Sequence, residues 1–214
     1  AILGQEMPAL DRSNSYIAVM VDDLVLHGVT EPYRMLTARA EYRLRLRADN
    51  AATRLTPLGI AANVVGAERR KHFEAKAAEK AALLDALQHA ATAEQLIRAG
   101  VPVKRDSGKM ALIEWLRFPD VQLADLLDLI PTESVSRETR GEWSADVVAE
   151  AEQDGRYAPY VDRQAAELRD LAANEQIRIP DALDYRRIAG LSNEMVERLD
   201  SARPETLAAA SRIR

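Results

Sequence analysis

A long charged run with a regular apolar stripe occupies the middle of the chain, between residues 67 and 90. Its apolar side chains recur at three- and four-residue spacing, at Phe73, Ala77, Ala81, Leu84 and Leu87. Side chains spaced in this way share one face of an α-helix, so the pattern predicts a long amphipathic helix after Gly66. We interpret its many Lys and Glu residues as a solvated face. A chain built around such a helix is expected to be mainly α.

The composition favours the same fold class. Aromatic residues make up 5% of the 214 residues, whereas hydrophobic residues make up 47% and charged residues 29%. This balance is typical of a folded protein whose helices pack through small aliphatic side chains, rather than of a β-sandwich or a disordered chain. The length is sufficient for one large domain or two small ones.

The sequence also excludes several classes of site. The absence of cysteine rules out disulfides, thiolate catalysis and cysteine metal sites, and His27, His72 and His89 are too far apart to suggest a histidine metal site. Gly-rich phosphate loops and nucleophile motifs are missing, so no catalytic, cofactor-binding or metal-binding residue is predicted. No apolar stretch reaches the roughly 18 to 20 residues that cross a membrane. With no secretory signal either, we expect a cytoplasmic protein without membrane contact.

Further helices are predicted on both sides of the central run. Ser13, Asn14 or Ser15 can cap a helix that ends before Gly28. Thr56 followed by Pro57 indicates the start of another helix. The remaining predicted helices are a short one closed by Gly100, two at residues 110–116 and 121–129, a long one from Ser144 to Ala173 with a bend near Gly155, and three at residues 184–188, 192–199 and 204–213.

These elements predict a division of the chain into three parts. Residues 1–14 are expected to form a tether, because they combine Gly4, Pro8 and a polar run. Residues 15–135 are expected to form one helical region and residues 145–214 a second. The polar stretch from Pro131 to Trp143 predicts a surface connection between them.

An arginine-rich segment gives the strongest indication of function. Between residues 34 and 54, only two acids, Glu41 and Asp49, stand against six arginines: Arg34, Arg39, Arg43, Arg45, Arg47 and Arg54. Guanidinium groups bind phosphate through paired hydrogen bonds, and the neighbouring Tyr33 and Tyr42 could stack on bases. The alternative, left open by the sequence, is that these arginines pair within the protein with Asp22, Asp23, Glu31, Glu41 and Asp49.

The conformation of this segment is ambiguous. Arg39, Arg43 and Arg47 are four residues apart, which fits one helical stripe. However, Tyr42, Leu44 and Leu46 alternate with arginines, as in a half-buried strand. We expect a helix that ends in a short extended stretch, with at most a small extended segment near residues 42–47.

Two weaker signals carry less functional weight. Asp22 and Asp23 are adjacent, so on a helix they point in different directions and form a poor acid/base pair. Residues 188–207 place two short helices around a Gly-Leu-Ser turn, which is typical of some nucleic-acid-binding hairpins. Because this neighbourhood is net acidic, helix packing or protein contact is favoured there.

Two segments closely resemble the signature of the MnmG/GidA family. They are Ser15 to Val25 (SYIAVMVDDLV) and Thr30 to Ala51 (TEPYRMLTARAEYRLRLRADNA), followed by Arg54-Leu55-Thr56 and Gly59. The later part of the chain is similar to the family's tail at Tyr157, Tyr160, Gln164, Ile179-Pro180, Leu183-Asp184-Tyr185, Gly190-Leu191-Ser192, Arg203-Pro204 and Ala210-Ser211-Arg212-Ile213. The resemblance covers most of the chain from about Ser13 and corresponds to the family's C-terminal portion.

The resemblance implies a function that the residues alone do not establish. Family members are FAD-dependent, use NADH, form homodimers and act with the GTPase MnmE and a methylene-tetrahydrofolate donor. Together they install an aminomethyl or carboxymethylaminomethyl group at carbon 5 of the tRNA wobble uridine. It also implies that the flavin-binding part and the family's cysteines lie upstream of Ala1, so residues 1–14 would be a tether from that part. The chain alone is therefore expected to be inactive and to bind no cofactor.

Site residues follow from combining the charge pattern with the resemblance. We expect tRNA to be bound by Arg34, Arg39, Arg43, Arg47 and Tyr42, and the partner protein MnmE to be contacted by Tyr157, Tyr160, Gln164, Leu191 and Leu199. Two alternatives remain for the arginine segment. It could complete the catalytic site in the intact enzyme, or it could serve only as a structural lattice of ion pairs.

Overall fold

The computed structural model describes residues 10–28, 30–131, 143–211 and 213. Its helices are α1 (Tyr16–His27), α2 (Ala51–Ala61), α3 (Ala67–Ala86), α4 (Ala93–Arg98), α5 (Leu112–Trp115), α6 (Leu123–Leu127), α7 (Ala145–Gln176), α8 (Asn193–Ala202) and α9 (Leu207–Ser211). Its strands are β1 (Ala90–Thr92) and β2 (Lys109–Ala111), and single 3₁₀ turns lie at Thr37–Arg39, Arg105–Ser107 and Tyr185–Arg187. The prediction of a mainly α fold is confirmed.

The described residues form two compact units. Unit 1 contains residues 47–161, and unit 2 contains residues 10–46 together with residues 162–213. Helix α7 contributes its first part to unit 1 and its last part to unit 2. The units therefore divide the chain near residues 46 and 161, whereas the sequence pattern indicated a boundary between residues 135 and 145. Most of the expected tether and of the expected connection lies outside the described residues.

Unit 1 is organised around a Leu-rich core with Trp115 at its centre. Leu83 and Leu87 from the end of α3, Leu96 from α4 and Leu112 from α5 are fully buried around this ring. Burying aliphatic side chains of this size contributes roughly 1.5 to 3 kcal/mol each. Of the predicted apolar stripe, Leu84 and Leu87 belong to this core, whereas Ala77 and Ala81 are exposed.

A short antiparallel ribbon joins two parts of unit 1. Strands β1 and β2 pair in the register Ala90↔Ala111, Ala91↔Met110 and Thr92↔Lys109. Helix α3 therefore ends at Ala86 rather than at Ala90, because the following residues pair with β2. At the end of β1, Thr92 Oγ1 accepts from Gln95 N at 3.3 Å while Gln95 Oε1 accepts from Thr92 N at 2.8 Å, and this capping box starts α4.

The predicted helix start at Thr56-Pro57 is wrong. Helix α2 begins at Ala51 and contains Pro57. The first turn is fixed to the preceding chain by Arg54, which donates to Asn50 Oδ1 and, at 3.3 Å, to the carbonyl of Arg47. These contacts were not evident from the Thr-Pro pair, which is a local signal only.

Unit 2 begins with α1, whose predicted ends are confirmed. Ser15 Oγ accepts from Ile17 N at 3.1 Å, and Gly28, at φ 62°, closes the helix with its N–H on the carbonyl of Leu24. Helix α8 lies where a helix over residues 192–199 was predicted, and its N-cap is Ser192, whose Oγ accepts from Met195 N at 3.2 Å. Helix α1 contacts α8.

Residues 37–47, which hold four of the six arginines, form neither the expected helix nor a strand. A 3₁₀ turn at Thr37–Arg39 is followed by turns, in which the carbonyl of Tyr42 accepts from Arg45 N at 2.8 Å and from Leu46 N at 3.0 Å. The buried side chains here are Ala40, Tyr42 and Leu46. This spacing of two and four residues matches neither the strand period nor the helix period throughout, so turns are the conformation that buries all three.

Candidate nucleic-acid interface

A buried arginine holds the arginine-rich segment against α1 within unit 2. Arg12 is 7% exposed, and its guanidinium lies 3.0 Å from Asp22 Oδ2, 2.8 Å from Asp23 Oδ1 and 2.9 Å from Glu41 Oε1. Its Nη2 also donates to the carbonyl of Arg39 at 3.1 Å. One planar cation therefore joins two acids of α1 to the beginning of the segment, a geometry that suits the fork of donors on arginine.

The charges of this cluster stabilise one another. Burial alone would raise the pKa of Asp23, but hydrogen bonds from Arg12 and Tyr33 hold that pKa below its usual value. Burial would likewise lower the pKa of Arg12, and its hydrogen bonds to Glu41 and Asp23 raise it instead. Arg12 and Asp23 therefore keep their charged forms at neutral pH, and Asp23 accepts hydrogen bonds from Arg12 and Tyr33 instead of acting as a proton acceptor.

Arg39 lies at the edge of this cluster. The hydroxyl of Tyr33 donates to Asp23 Oδ2 at 2.8 Å, and the guanidinium of Arg39 lies 4.7 Å from the centre of the Tyr33 ring. Arg39 Nη1 is 3.7 Å from Asp23 Oδ2, and 45% of its side chain remains exposed. The ring and the carboxylate orient Arg39 and leave much of its guanidinium open to solvent.

Arg34 and Arg43 are exposed on the same unit. Within the described residues, neither has a carboxylate partner. The acids that could have neutralised them, Asp22, Asp23 and Glu41, are bound by Arg12. The ion-pair alternative therefore holds in part for Arg39, which lies near Asp23, and also for Arg47, which binds Asp49. The main partner of Asp22, Asp23 and Glu41 is Arg12, which the sequence pattern did not indicate.

Tyr42 is placed differently from the expectation. It is 7% exposed and lies among the buried residues of unit 2. A base cannot stack on a ring in this position unless the segment moves. Tyr33, at the surface beside Arg39, is the more accessible ring.

Arg47 belongs to unit 1 and is largely enclosed by acids. Its Nη2 lies 2.5 Å from Asp154 Oδ1 and 2.9 Å from Asp49 Oδ2, and its guanidinium is 5.6 Å from the ring centre of Tyr157. Lys80 Nζ binds the other oxygen of Asp154 at 2.6 Å. With 12% of its side chain exposed, Arg47 is arranged to fix α7 within unit 1.

The five predicted partner-contact residues fall in different environments. In unit 1, Tyr157 lies against Arg47 and Tyr160 is 53% exposed. In unit 2, Gln164 Nε2 donates to the carbonyl of Glu41 at 3.5 Å, Leu191 packs on the core around Tyr185, and Leu199 is 6% exposed within that core. Tyr160 is thus the exposed residue of these five, whereas Leu199 is buried and can contribute only by holding α8 in place.

Metal sites and membrane-spanning helices are both absent from the described ranges. No group of three or more His, Cys, Asp or Glu side chains in this part of the chain could hold a metal ion. No helix found there is both long enough and apolar enough to span a bilayer.

The family comparison defines the class of protein. Residues 67–165 match the C-terminal helical domain of the tRNA modifying enzyme MnmG/GidA, and residues 167–214 match its C-terminal helical bundle. These are the helical domains of a tRNA-modifying enzyme family.

Individual relatives agree. The chain is 50% identical over 214 residues to the tRNA uridine 5-carboxymethylaminomethyl modification enzyme MnmG of Zymomonas mobilis, covering 100% of the chain and 33% of that protein. It is 38% identical over 218 residues to the enzyme of the same name from Latilactobacillus sakei, covering 98% and 33%. The chain thus spans about a third of the length of the curated relatives it matches.

Solved structures give the same result. Aquifex aeolicus GidA in its form II crystal matches with a TM-score of 0.71 and 30% identity, covering 99% of this chain and 32% of that one, and the form I crystal matches with a TM-score of 0.65. The chain belongs to the MnmG/GidA family and carries its C-terminal helical domains.

The described residues do not fit a dinucleotide cofactor. Such a cofactor binds where a parallel strand leads through a Gly-rich turn into a helix, whose N-terminus meets the pyrophosphate. In the described ranges the sheet is a two-stranded antiparallel ribbon of three-residue strands. The described residues therefore do not form a binding site of this kind for the FAD and NADH that the family resemblance implies.

Proposed function

We propose that this chain is the tRNA-binding and GTPase-docking part of an FAD-dependent enzyme. In this proposal the intact enzyme is a cytoplasmic homodimer that works with MnmE. It installs an aminomethyl or carboxymethylaminomethyl group at carbon 5 of the tRNA wobble uridine. The proposal is supported by the relatives, each of which is named a tRNA uridine 5-carboxymethylaminomethyl modification enzyme.

One observation carries the tRNA-binding half of the proposal. Arg34 and Arg43 are exposed cations without an ion-pair partner in the described chain, on a segment that a buried arginine holds in place. An exposed guanidinium that no carboxylate neutralises is free to bind a phosphate, and binding it releases the counterions condensed on the nucleic acid. Arg39, oriented by Tyr33, is the third cation of this surface.

The fixed backbone matters because it reduces the cost of binding. If Asp22, Asp23 or Glu41 moved away from Arg12, this buried guanidinium would lose an ion pair. A preordered segment loses less conformational entropy on binding than a mobile one would. Arg34, Arg39 and Arg43 are therefore presented by a rigid support.

FAD and NADH are assigned to the rest of the intact enzyme. About two thirds of the length of the relatives lies outside the part matched by this chain, because the chain covers 33% of the Zymomonas mobilis protein. We expect this chain, purified alone, to be colourless and to lack NADH oxidase activity. A yellow preparation with stoichiometric FAD would contradict this assignment.

The tRNA-binding role is tested by replacing Arg34 and Arg43 together with alanine in the intact enzyme. The expected result is a loss of tRNA affinity with unchanged folding and unchanged turnover at saturating tRNA. Arg98→Ala is the control, because Arg98 is an exposed arginine already paired to Glu94 at 2.6 Å. Lost turnover at normal affinity would instead assign the arginines to the catalytic site, and lost folding would assign them to the structural lattice.

The GTPase-docking role is tested at Tyr160. This ring is 53% exposed on α7, and exposed aromatic side chains are common anchors in protein interfaces. We expect Tyr160→Ala to weaken the affinity of the intact enzyme for MnmE while tRNA affinity is kept. Unchanged MnmE affinity in Tyr160→Ala and in a deletion of residues 145–214 would refute this half of the proposal.

A further inference from the structure

Unit 1 carries a second exposed basic cluster, which the charge pattern of the sequence had assigned to a solvated face. Four consecutive residues in the first two turns of α3 are Arg69, Arg70, Lys71 and His72. Arg69, Lys71 and His72 are exposed, and Arg70 is half-buried. We call these four residues the α3 basic cluster.

The α3 basic cluster is not neutralised by its own helix. Glu68 and Glu74 lie within reach along the helix, yet among the described residues neither forms an ion pair with a member of the cluster. Elsewhere on exposed helices of this chain, such pairs do form, as between Glu94 and Arg98 at 2.6 Å. The three cations of the cluster therefore form no ion pair among the described residues, and they exceed the two flanking acids by one charge.

Helix stability does not explain the cluster either. Cations in the first turns of a helix are disfavoured by the helix dipole, and acids are favoured there. A run of three positive residues at this place costs stability unless another partner offsets it. Charge that opposes local stability is a common property of binding surfaces.

A cavity lies beside the α3 basic cluster. It has a volume of about 220 Å³ and is lined on one side by Arg69 and His72 of α3 and on another by Thr53 of α2. Thr53 is exposed and adds a hydroxyl group, and such groups donate to phosphate oxygens in nucleic-acid complexes.

The acids of the cavity are already paired. Asp49 binds Arg47 at 2.9 Å and Glu150 binds Lys80 at 2.8 Å. Asp146 binds Lys76. Lys76 and Lys80 are thus held by acids, whereas Arg69 also lines the cavity and forms no ion pair among the described residues.

We propose that the α3 basic cluster, with the adjoining cavity, is a second phosphate-binding surface that contacts the tRNA backbone. This inference rests on the proposed tRNA-binding function and adds a contact surface in unit 1 to the arginine surface of unit 2. The recognised group is the phosphate, so the contact is independent of base sequence. A protein partner is a different outcome and is distinguished by the experiment.

The test uses the intact enzyme with Arg69→Gln and Lys71→Gln combined. The control combines Arg98→Gln and Lys104→Gln, which removes the same charges from other exposed positions of unit 1. Two lost phosphate contacts should reduce the salt slope of tRNA binding by between one and two units and the affinity on the order of tenfold at moderate salt. Turnover at saturating tRNA should be unchanged.

Three results would overturn the inference. They are unchanged tRNA affinity and salt slope in the double variant, an equal loss in the control, and a loss of MnmE affinity in place of tRNA affinity. If Arg43→Ala still weakens tRNA binding in the same assay, the proposed function survives the loss of this inference, and if it does not, both fail. If the double variant unfolds, Lys71→Gln alone is tested, because Lys71 is exposed and has no ion pair in the described chain. The salt slope of tRNA binding should then fall by about one unit, and an unchanged slope would overturn the inference.

Discussion

Arg12 Nη1 and Asp23 Oδ1 lie 2.8 Å apart in unit 2, with 8% and 12% of their side chains exposed. Asp23 is on α1, and the same guanidinium also reaches Glu41 in the arginine-rich segment. This pair is the structural link between the helix and the segment that presents Arg34, Arg39 and Arg43. Its geometry makes the exposed arginines dependent on a buried one.

Replacing Arg12 with alanine should destabilise unit 2. Three carboxylates would lose their common cation. Removing one partner of a fully buried ion pair costs roughly 3 to 5 kcal/mol, and the loss here should be smaller because 48% of the Glu41 side chain is exposed. The free energy of unfolding is measured by urea titration with far-ultraviolet circular dichroism, since both tryptophans, Trp115 and Trp143, belong to unit 1.

Arg198→Ala is the matched control for that measurement. Arg198 also belongs to unit 2 and pairs with Glu194 at 2.5 Å, but on an exposed helix face. Exposed pairs of this kind contribute little, so its midpoint should hardly change. Equal effects of the two substitutions would show that Arg12 is not a structural centre.

The Asp23 contribution should disappear in acid. Its pKa in the folded chain lies below the usual 3.8, so its ion pair stabilises the fold fully above pH 3.8 and loses that effect as pH falls through the lowered value. The difference in free energy of unfolding between the parent chain and Asp23→Asn should therefore be constant near neutrality and shrink below pH 3.8. A difference that stays constant throughout the acid range would contradict the assigned cause.

Arg47→Ala should behave differently from Arg43→Ala. Arg47 binds Asp49 and Asp154, so its loss leaves Asp49 without this partner and Asp154 with Lys80 alone. The free energy of unfolding should fall by roughly 1 to 3 kcal/mol. Its effect on the salt slope of tRNA binding should be smaller than that of Arg43→Ala. If Arg47→Ala kept the stability of the parent chain and lost about one unit of salt slope in tRNA binding, Arg47 would instead be a phosphate-binding residue.

Gly155→Ala should destabilise unit 1 even though alanine favours helices. A Cβ at this position would lie 2.7 Å from Leu116 Cδ1, 2.9 Å from Ile113 Cδ1 and 3.2 Å from the carbonyl oxygen of Ile113. Overpacking of this kind costs roughly 1 to 3 kcal/mol, which exceeds the helix-propensity gain of about 1 kcal/mol.

Ala149→Gly, at an exposed position of the same helix, isolates the propensity term. It should lower the free energy of unfolding by about 1 kcal/mol. If Gly155→Ala raised the thermal midpoint by the amount that Ala149→Gly lowers it, helix propensity alone would explain the effect. The close approach of α7 to Leu116 and Ile113 would then not destabilise the variant.

Local signals accounted for much of the fold. The caps at Ser15 and Gly28 and the long helix α3 were predicted because each depends on residues adjacent in sequence. The β1–β2 ribbon was missed, since its strands have three residues each and too few positions to show a period.

The candidate site was predictable only in part. The cluster of arginines is visible in the sequence, but which of them are exposed depends on contacts between distant residues. Arg12 binds Glu41 from 29 positions away, and Arg47 binds Asp154 from 107 positions away. No period or motif reports such pairs, so the burial of Arg47 and the central place of Arg12 required the structure.

The salt dependence of tRNA binding by the intact enzyme carrying Arg43→Ala tests the central claim most directly. Arg43 is exposed and has no ion pair in the described chain, so its removal should leave folding intact. The plot of log affinity against log salt should lose about one unit of slope, with weaker binding of every tRNA tested alike. An unaltered slope and affinity in a folded Arg43→Ala enzyme would contradict the account.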